Sequence, residues 1–108
     1  MAEVVPLASF DADEVREYEI REERREGDGD RFHEELQRGF LQLAKFPHSG
    51  ARIKGTIIRR LLVCGGRFGI IYVPEARGVI LHALLDHLAD PAFNARRIRE
   101  ITRLLNQQ

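Results

Sequence analysis

The 108-residue chain has no tryptophan, one cysteine, one methionine and four prolines. Without tryptophan, six phenylalanines and the branched aliphatic residues must fill any core. A single cysteine, Cys64, excludes an internal disulfide and fits a reducing compartment. No apolar run approaches the roughly 20 residues of a membrane span. No basic stretch leads into an apolar segment as in a secretory leader, so a soluble cytoplasmic protein is expected. There is no internal repeat and no low-complexity tract. Net charge is missing too: 17 basic and 17 acidic residues cancel. That balance excludes a uniformly basic nucleic-acid binder.

What is present is unevenly placed. Residues 1–30 hold 11 acids and 4 bases, whereas residues 31–108 hold 6 acids and 13 bases. The neutral total is therefore two opposed segments, seven charges in excess on each side. Apolar residues make up 44% and charged residues 31%, a composition for one modest core under a charged surface rather than for a disordered chain. The length suits one domain, residues 1–108.

Val4–Phe10 is short and apolar, and Pro6 confines it to an edge strand or a strand start. Asp11 followed by Glu14 reads as a capping box opening a helix that stops at Gly27. The apolar stripe of that helix is thin: Ala12, Val15, Tyr18 and Ile20. Asp28-Gly29-Asp30 reads as a turn and cap. Phe32, Leu36, Phe40, Leu43 and Ala44 then mark one face of a second helix, ended by Pro47. His48–Gly55 reads as a loop. Ile57–Cys64 and Phe68–Val73 are strands joined by a tight Gly65-Gly66 turn; Pro74–Gly78 is a longer turn and Val79–Leu85 a third strand of this group. Asp90-Pro91 caps a last helix with Ile98, Ile101 and Leu105 on one face and a basic outer side. The expected class is α+β, in the order β-α-α-β-β-β-α, with a helix hairpin packed on a small antiparallel-dominated sheet.

Chemistry-bearing residues are few. The basic set is Arg52, Lys54, Arg59, Arg60, Arg67, Arg96, Arg97, Arg99 and Arg103. Arg59 and Arg60 are neighbours on a strand and point to opposite faces, so one of them must find a carboxylate or carbonyl under the helices. Metal-free RNA cleavage needs cations on the phosphate and a group to move the 2′-hydroxyl proton. Lys54 and Tyr72 are the candidates of the second kind. His82 and Asp86 share strand parity but lie about 13 Å apart along an extended strand. No zinc spacing is present, and no metal or cofactor is expected. Cys64 reads as a small packed residue. Gly65, Gly66 and Gly69 precede no helix and form no phosphate cradle.

Taken in order, several segments resemble the RelE/ParE toxins of bacterial type II toxin–antitoxin systems. Gly27–Phe32 looks like that family's inter-helix turn, and Phe40–Gly50 like its second-helix end. Ile58–Leu62 with Phe68–Tyr72 looks like its central hairpin, completed by Val79–Leu81 and Asp90-Pro91. The resemblance spans roughly residues 4–97. There are departures. The basic stretch before Asp-Pro is Asp86–Ala89 here, a tyrosine pair is Ile20-Arg21, and an arginine of the ribonuclease branch falls near Gly69.

The resemblance thus implies the ParE-like branch: a toxin that binds and inhibits DNA gyrase and is neutralised by a ParD-like antitoxin in a hetero-oligomer. It implies no membrane contact, and no direct DNA binding without the antitoxin. Target-binding candidates are Arg59, Arg60, Arg67, Arg96 and Arg97; antitoxin-binding candidates are Val15, Tyr18 and Ile20 with Leu36 and Phe40. The alternatives are a RelE-like ribosome-dependent mRNA endoribonuclease using Lys54, Arg59, Arg67 and Tyr72, or a non-toxic antitoxin-binding scaffold.

Overall fold

The periodic stripe Phe32–Leu36–Leu43 lies on one side of a helix, and the sheet is built to receive it. A computed structural model describes residues 1–107. Its elements are β1 (Val4–Pro6), α1 (Ala8–Arg24), α2 (Asp28–Lys45), β2 (Ala51–Arg52), β3 (Arg59–Val63), β4 (Phe68–Glu75), β5 (Gly78–Asp86) and α3 (Pro91–Asn106). The five strands form one sheet in the order β1-β5-β4-β3-β2. Only the β1–β5 pair is parallel. The fold is α+β, with β1 on an edge as Pro6 requires.

Each face of the sheet has its own core. Phe10, Phe32, Leu36 and Leu43 of the helix hairpin meet Leu61, Val63, Phe68, Ile70, Tyr72, Val79, Leu81 and Leu84. On the opposite face Ile98, Ile101 and Leu105 of α3 meet Ile58, Ile71, Val73, Ala83 and Leu85. Alternation explains the division through β4: Ile70 and Tyr72 face the hairpin, Ile71 and Val73 face α3. In β5 the alternation breaks. Ile71 pairs with Ala83 but Tyr72 pairs with Leu81, so His82 is an extra residue in a β-bulge. The bulge places His82 against α3, while Asp86 bonds Arg67 beside the hairpin core. The shared parity expected of His82 and Asp86 therefore does not hold.

Other boundaries differ for local reasons. α1 begins at Ala8 rather than at Asp11, and its N-cap Leu7 makes no side-chain cap. β5 extends past β1, leaving backbone groups that the start of α1 satisfies. Leu7 N–H donates to the Leu81 carbonyl (3.0 Å), and the Ser9 hydroxyl donates to the His82 carbonyl (2.7 Å). Asp28 is already helical behind Gly27, and the cap of α2 comes from α1: Glu22 Oε1 accepts from Gly27 N–H and Gly29 N–H, both at 2.9 Å. The loop at 48–55 contains the short strand β2. Cys64–Gly66 is a 3₁₀ turn in place of a two-residue hairpin, with Cys64, Gly65 and Gly66 all at positive φ. The β4–β5 turn is shorter than expected because Glu75 pairs with Gly78. Gly78 (φ 137°) lies where a Cβ would come within 2.6 Å of the Glu3 carbonyl oxygen. Asp90 caps α3 as expected, accepting from Ala92 N–H at 2.9 Å.

Asp13 joins these parts. Its side chain is 3% exposed and accepts from Leu84 N–H (3.0 Å), from Arg97 (3.2 and 2.8 Å) and from Arg16 (2.9 Å). Asp13→Ala strands the Leu84 amide and the mostly buried Arg97, and it is expected to destabilise the fold by about 3–5 kcal/mol. Urea unfolding followed by circular dichroism measures this; a loss under 1 kcal/mol, as is ordinary for surface changes, would refute the bridging role.

Candidate functional site

β3 and β4 carry the residues from which a site could be built, and strand parity separates them. Arg59 points under the hairpin and donates to the carbonyls of His48 (3.1 Å) and Gly50 (2.8 Å). It is thus the arginine that finds carbonyls there, and it braces the 48–50 loop. Tyr72 pairs with Arg59 across the ladder and is fully buried. Its oxygen accepts from Gly50 N–H at 2.9 Å, and burial raises the phenol pKa. Tyr72 is therefore corrected from a candidate proton carrier to a core residue. Lys54 is exposed in the loop before β3.

Arg67 sits at the other end of the β3–β4 ladder, as a bidentate partner of Asp86 (3.0 and 3.1 Å). That ion pair, with Leu88 N–H donating to the same carboxyl, holds the Asp86 pKa below the ordinary carboxylate range. Lys54, Arg59, Arg67 and Tyr72 do not converge on one site. Arg97 is bound to Asp13, and Arg59, Arg60 and Arg96 of the target-binding set make no ion pair among the described residues.

Arg60 points to the α3 face. There it lines a cavity of about 290 Å³ with Leu85, His87, Asn94 and Ile98. Arg60 Nε, His87 Nε2 and Asn94 Oδ1 are all buried without a hydrogen-bond partner, an unusual concentration of unsatisfied groups around one small space. Their chemical characters follow from their other contacts. His87 Nδ1 lies 2.9 Å from the Gly66 carbonyl, which can only accept, so Nδ1 carries a proton and Nε2 of the neutral ring presents a lone pair. Asn94 Nδ2 donates to the Asp86 carbonyl at 2.9 Å, which turns Oδ1 to the cavity. The site thus offers one cationic donor and two acceptors in an apolar surround. It can hold an oxygen on Arg60 and accept a proton at His87.

Gly69 makes this arrangement possible. A Cβ there would lie 2.9 Å from His87 Nε2 and 3.1 Å from Arg60 Cγ. The imidazole and the arginine stem occupy the space above the glycine. The spacing of His87 and Asn94 along the chain assigns them no joint role. The one available signal was a glycine inside a strand, which marks close approach of another group.

On the opposite side, Arg21 stacks between Phe32 (4.9 Å) and Phe68 (4.5 Å). Cys64 lies next to it, its thiol pushed up to about 12 mainly by burial, with Glu35 alongside. That thiol is unreactive at neutral pH. Of the antitoxin-binding candidates, Leu36 is fully buried in the hairpin core and is corrected to a core residue. Phe40 packs on Phe10 with ring centroids 5.8 Å apart. Val15 is 55% exposed; Tyr18 and Ile20 are half-buried, with the Tyr18 hydroxyl donating to Asp30 at 2.7 Å. Among the described residues, no three His, Cys, Asp or Glu side chains group to hold a metal, and no helix is long and apolar enough to cross a membrane. No protein-family model and no curated protein matches the chain.

Gly69→Ala is expected to displace His87 and cost about 1–3 kcal/mol, read as a shifted His87 imidazole resonance and a lower urea midpoint. An unchanged resonance would contradict the packing described. The Arg67–Asp86 pair carries a second expectation. Because the folded carboxyl titrates below its unfolded value of about 3.9, the pair contributes stability at neutral pH and loses it as pH falls below that value. Arg67→Ala should raise the Asp86 pKa, measured by carboxyl-carbon NMR, and flatten this acid dependence.

Proposed function

We propose that the chain is the toxin of a type II toxin–antitoxin pair, of the ParE-like kind, which acts by binding in the cytoplasm. DNA gyrase is its target, and a ParD-like antitoxin is its neutralising partner. The observation that carries the reading is the dispersal of the residues a RelE-like ribonuclease would draw on. Tyr72 is sealed in the core, Arg59 braces a loop and Arg67 is paired with Asp86. The α+β layout, with a helix hairpin over a mixed sheet, agrees with the resemblance of residues 4–97. The antitoxin surface in this reading is the outer side of α1 at the exposed Val15 and the half-buried Tyr18, with Ile20 further round the helix.

One observation favours a second reading. Arg60 and His87 share a cavity, and a cation beside an imidazole acceptor is the minimum for holding a phosphate and taking up a 2′-hydroxyl proton. RelE-like cleavage of mRNA would therefore run through Arg60 and His87, not through Tyr72.

Induced expression without an antitoxin separates the two. The binding reading expects a DNA-damage response with intact messages, and inhibition of supercoiling when purified chain is added to gyrase. It also expects Arg60→Ala with His87→Ala to leave messages intact. Early cleavage of mRNA, lost by about 100-fold or more in that double variant, would overturn it in favour of the ribonuclease. Unimpaired growth with folded chain in the cells would reduce the protein to an antitoxin-binding scaffold.

A further inference from the structure

A second cavity lies away from Arg60, where the bulge of β5 faces the C-terminal half of α3. It measures about 470 Å³, within the range of small-molecule sites, and Leu7, Ile101 and Leu104 form its apolar wall. Leu104 is 57% exposed although its neighbours on α3 pack against the sheet.

Ser9, His82, Arg97, Glu100 and Gln107 share the lining, and two features of this polar set stand out. His82 is 8% exposed, and its Nε2 is buried with no hydrogen-bond partner. A buried imidazole nitrogen left unsatisfied is costly, and a ligand oxygen would remove that cost. The bulge gives the ring its position, because the extra residue turns His82 towards α3 between the pairs formed by Leu81 and Ala83. Arg97 is the second feature. Its terminal nitrogens each donate once to Asp13, leaving three further N–H groups on a side chain that lines the cavity. Arg16 also pairs with Asp13, so one carboxylate faces two guanidinium groups and a positive charge is left over. Glu100 also lines the cavity but is exposed, where water screens it.

We propose that this cavity is a binding site for a small amphiphilic monocarboxylate, with its oxygen head on His82 Nε2 and Arg97 and its apolar body against Leu7, Ile101 and Leu104. Burial lowers the His82 pKa, favouring the neutral ring, whose Nε2–H tautomer can donate to a carboxylate oxygen without a second charge to desolvate. The site is separate from the Arg60 cavity and does not rest on the toxin reading.

Octanoate and octanol, titrated into the full chain and followed by heteronuclear NMR, test the assignment. The expected result is saturable octanoate shifts confined to His82, Leu7, Ile101 and Leu104, with octanol weaker by about tenfold or more, the worth of one charge-assisted hydrogen bond. His82→Phe fills the same wall without the polar atom. It should keep the fold and weaken octanoate by a similar factor, and Leu104→Ser, which removes part of the apolar wall, should weaken it too. Absence of saturable shifts overturns the proposal. So does equal affinity for octanol, undiminished binding to His82→Phe, or shifts spread to the exposed Leu41 and Phe46.

Discussion

β5 is longer than the strand beside it, and the carboxylate of Asp13 is what meets the excess. β1 pairs only with Val79–Leu81, so the backbone beyond would present unpaired groups at a sheet edge. The first turns of α1 cover that edge, and Asp13 takes the Leu84 amide. The same carboxylate receives Arg97 from α3, which lies on the other face of the sheet. One side chain thereby fixes the hairpin layer, the sheet edge and the outer helix relative to one another. The net worth of such a buried pair against an apolar replacement of both partners is close to zero, while loss of one partner is costly. Its contribution is position: the two apolar layers do not by themselves determine how α3 lies along the sheet, and the Arg97–Asp13 contact does.

This constraint places both cavities. α3 is pinned at Arg97, with Asn94 and Ile98 on one side and Ile101 and Leu104 on the other. Asn94 is held to the Asp86 carbonyl, and Asp86 in turn to Arg67. A chain of charge-assisted contacts therefore runs along the end of the sheet and sets the walls around Arg60 and His87. The opposed charge of the two sequence segments is partly consumed here: Asp13 of the acidic segment holds Arg97 of the basic one, and Glu22 caps α2 instead of facing solvent.

The sequence was informative where local rules act alone. The α2 stripe, the Asp90-Pro91 cap, the edge position of β1 and the opposite directions of Arg59 and Arg60 follow from period, proline chemistry and strand geometry. It was silent where a distant group competes with a local one. Asp11 looks like an N-cap, but the start of α1 is set by the unpaired edge of β5. Asp28 looks like a cap, but Glu22 supplies that contact from the preceding helix. Parity along β5 is correct up to Leu81 and then fails, because an inserted residue in a bulge leaves no mark in a run of apolar residues. The same limit hid the Arg60 site. His87 and Asn94 are separated by a turn and a helix start, and Gly69 alone hinted that something lies across the strand.

The distinction between binding and cutting comes down to which cations are already neutralised. An arginine that braces a loop, or whose charge is matched by a single carboxylate, has less to offer the extra charge that develops on a phosphate. Arg59 and Arg67 are in that position. Arg60 is not, and its Nε is buried without a partner. A single such donor beside the His87 imidazole suits the recognition of a partner's polar atoms as well as it suits catalysis. Catalysis demands in addition a second group to protonate the leaving oxygen. Within this cavity the remaining polar atom, Asn94 Oδ1, is an acceptor and has no proton to give. The donor inventory therefore favours recognition, and it identifies Arg60 and His87 as the pair on which the alternative stands or falls.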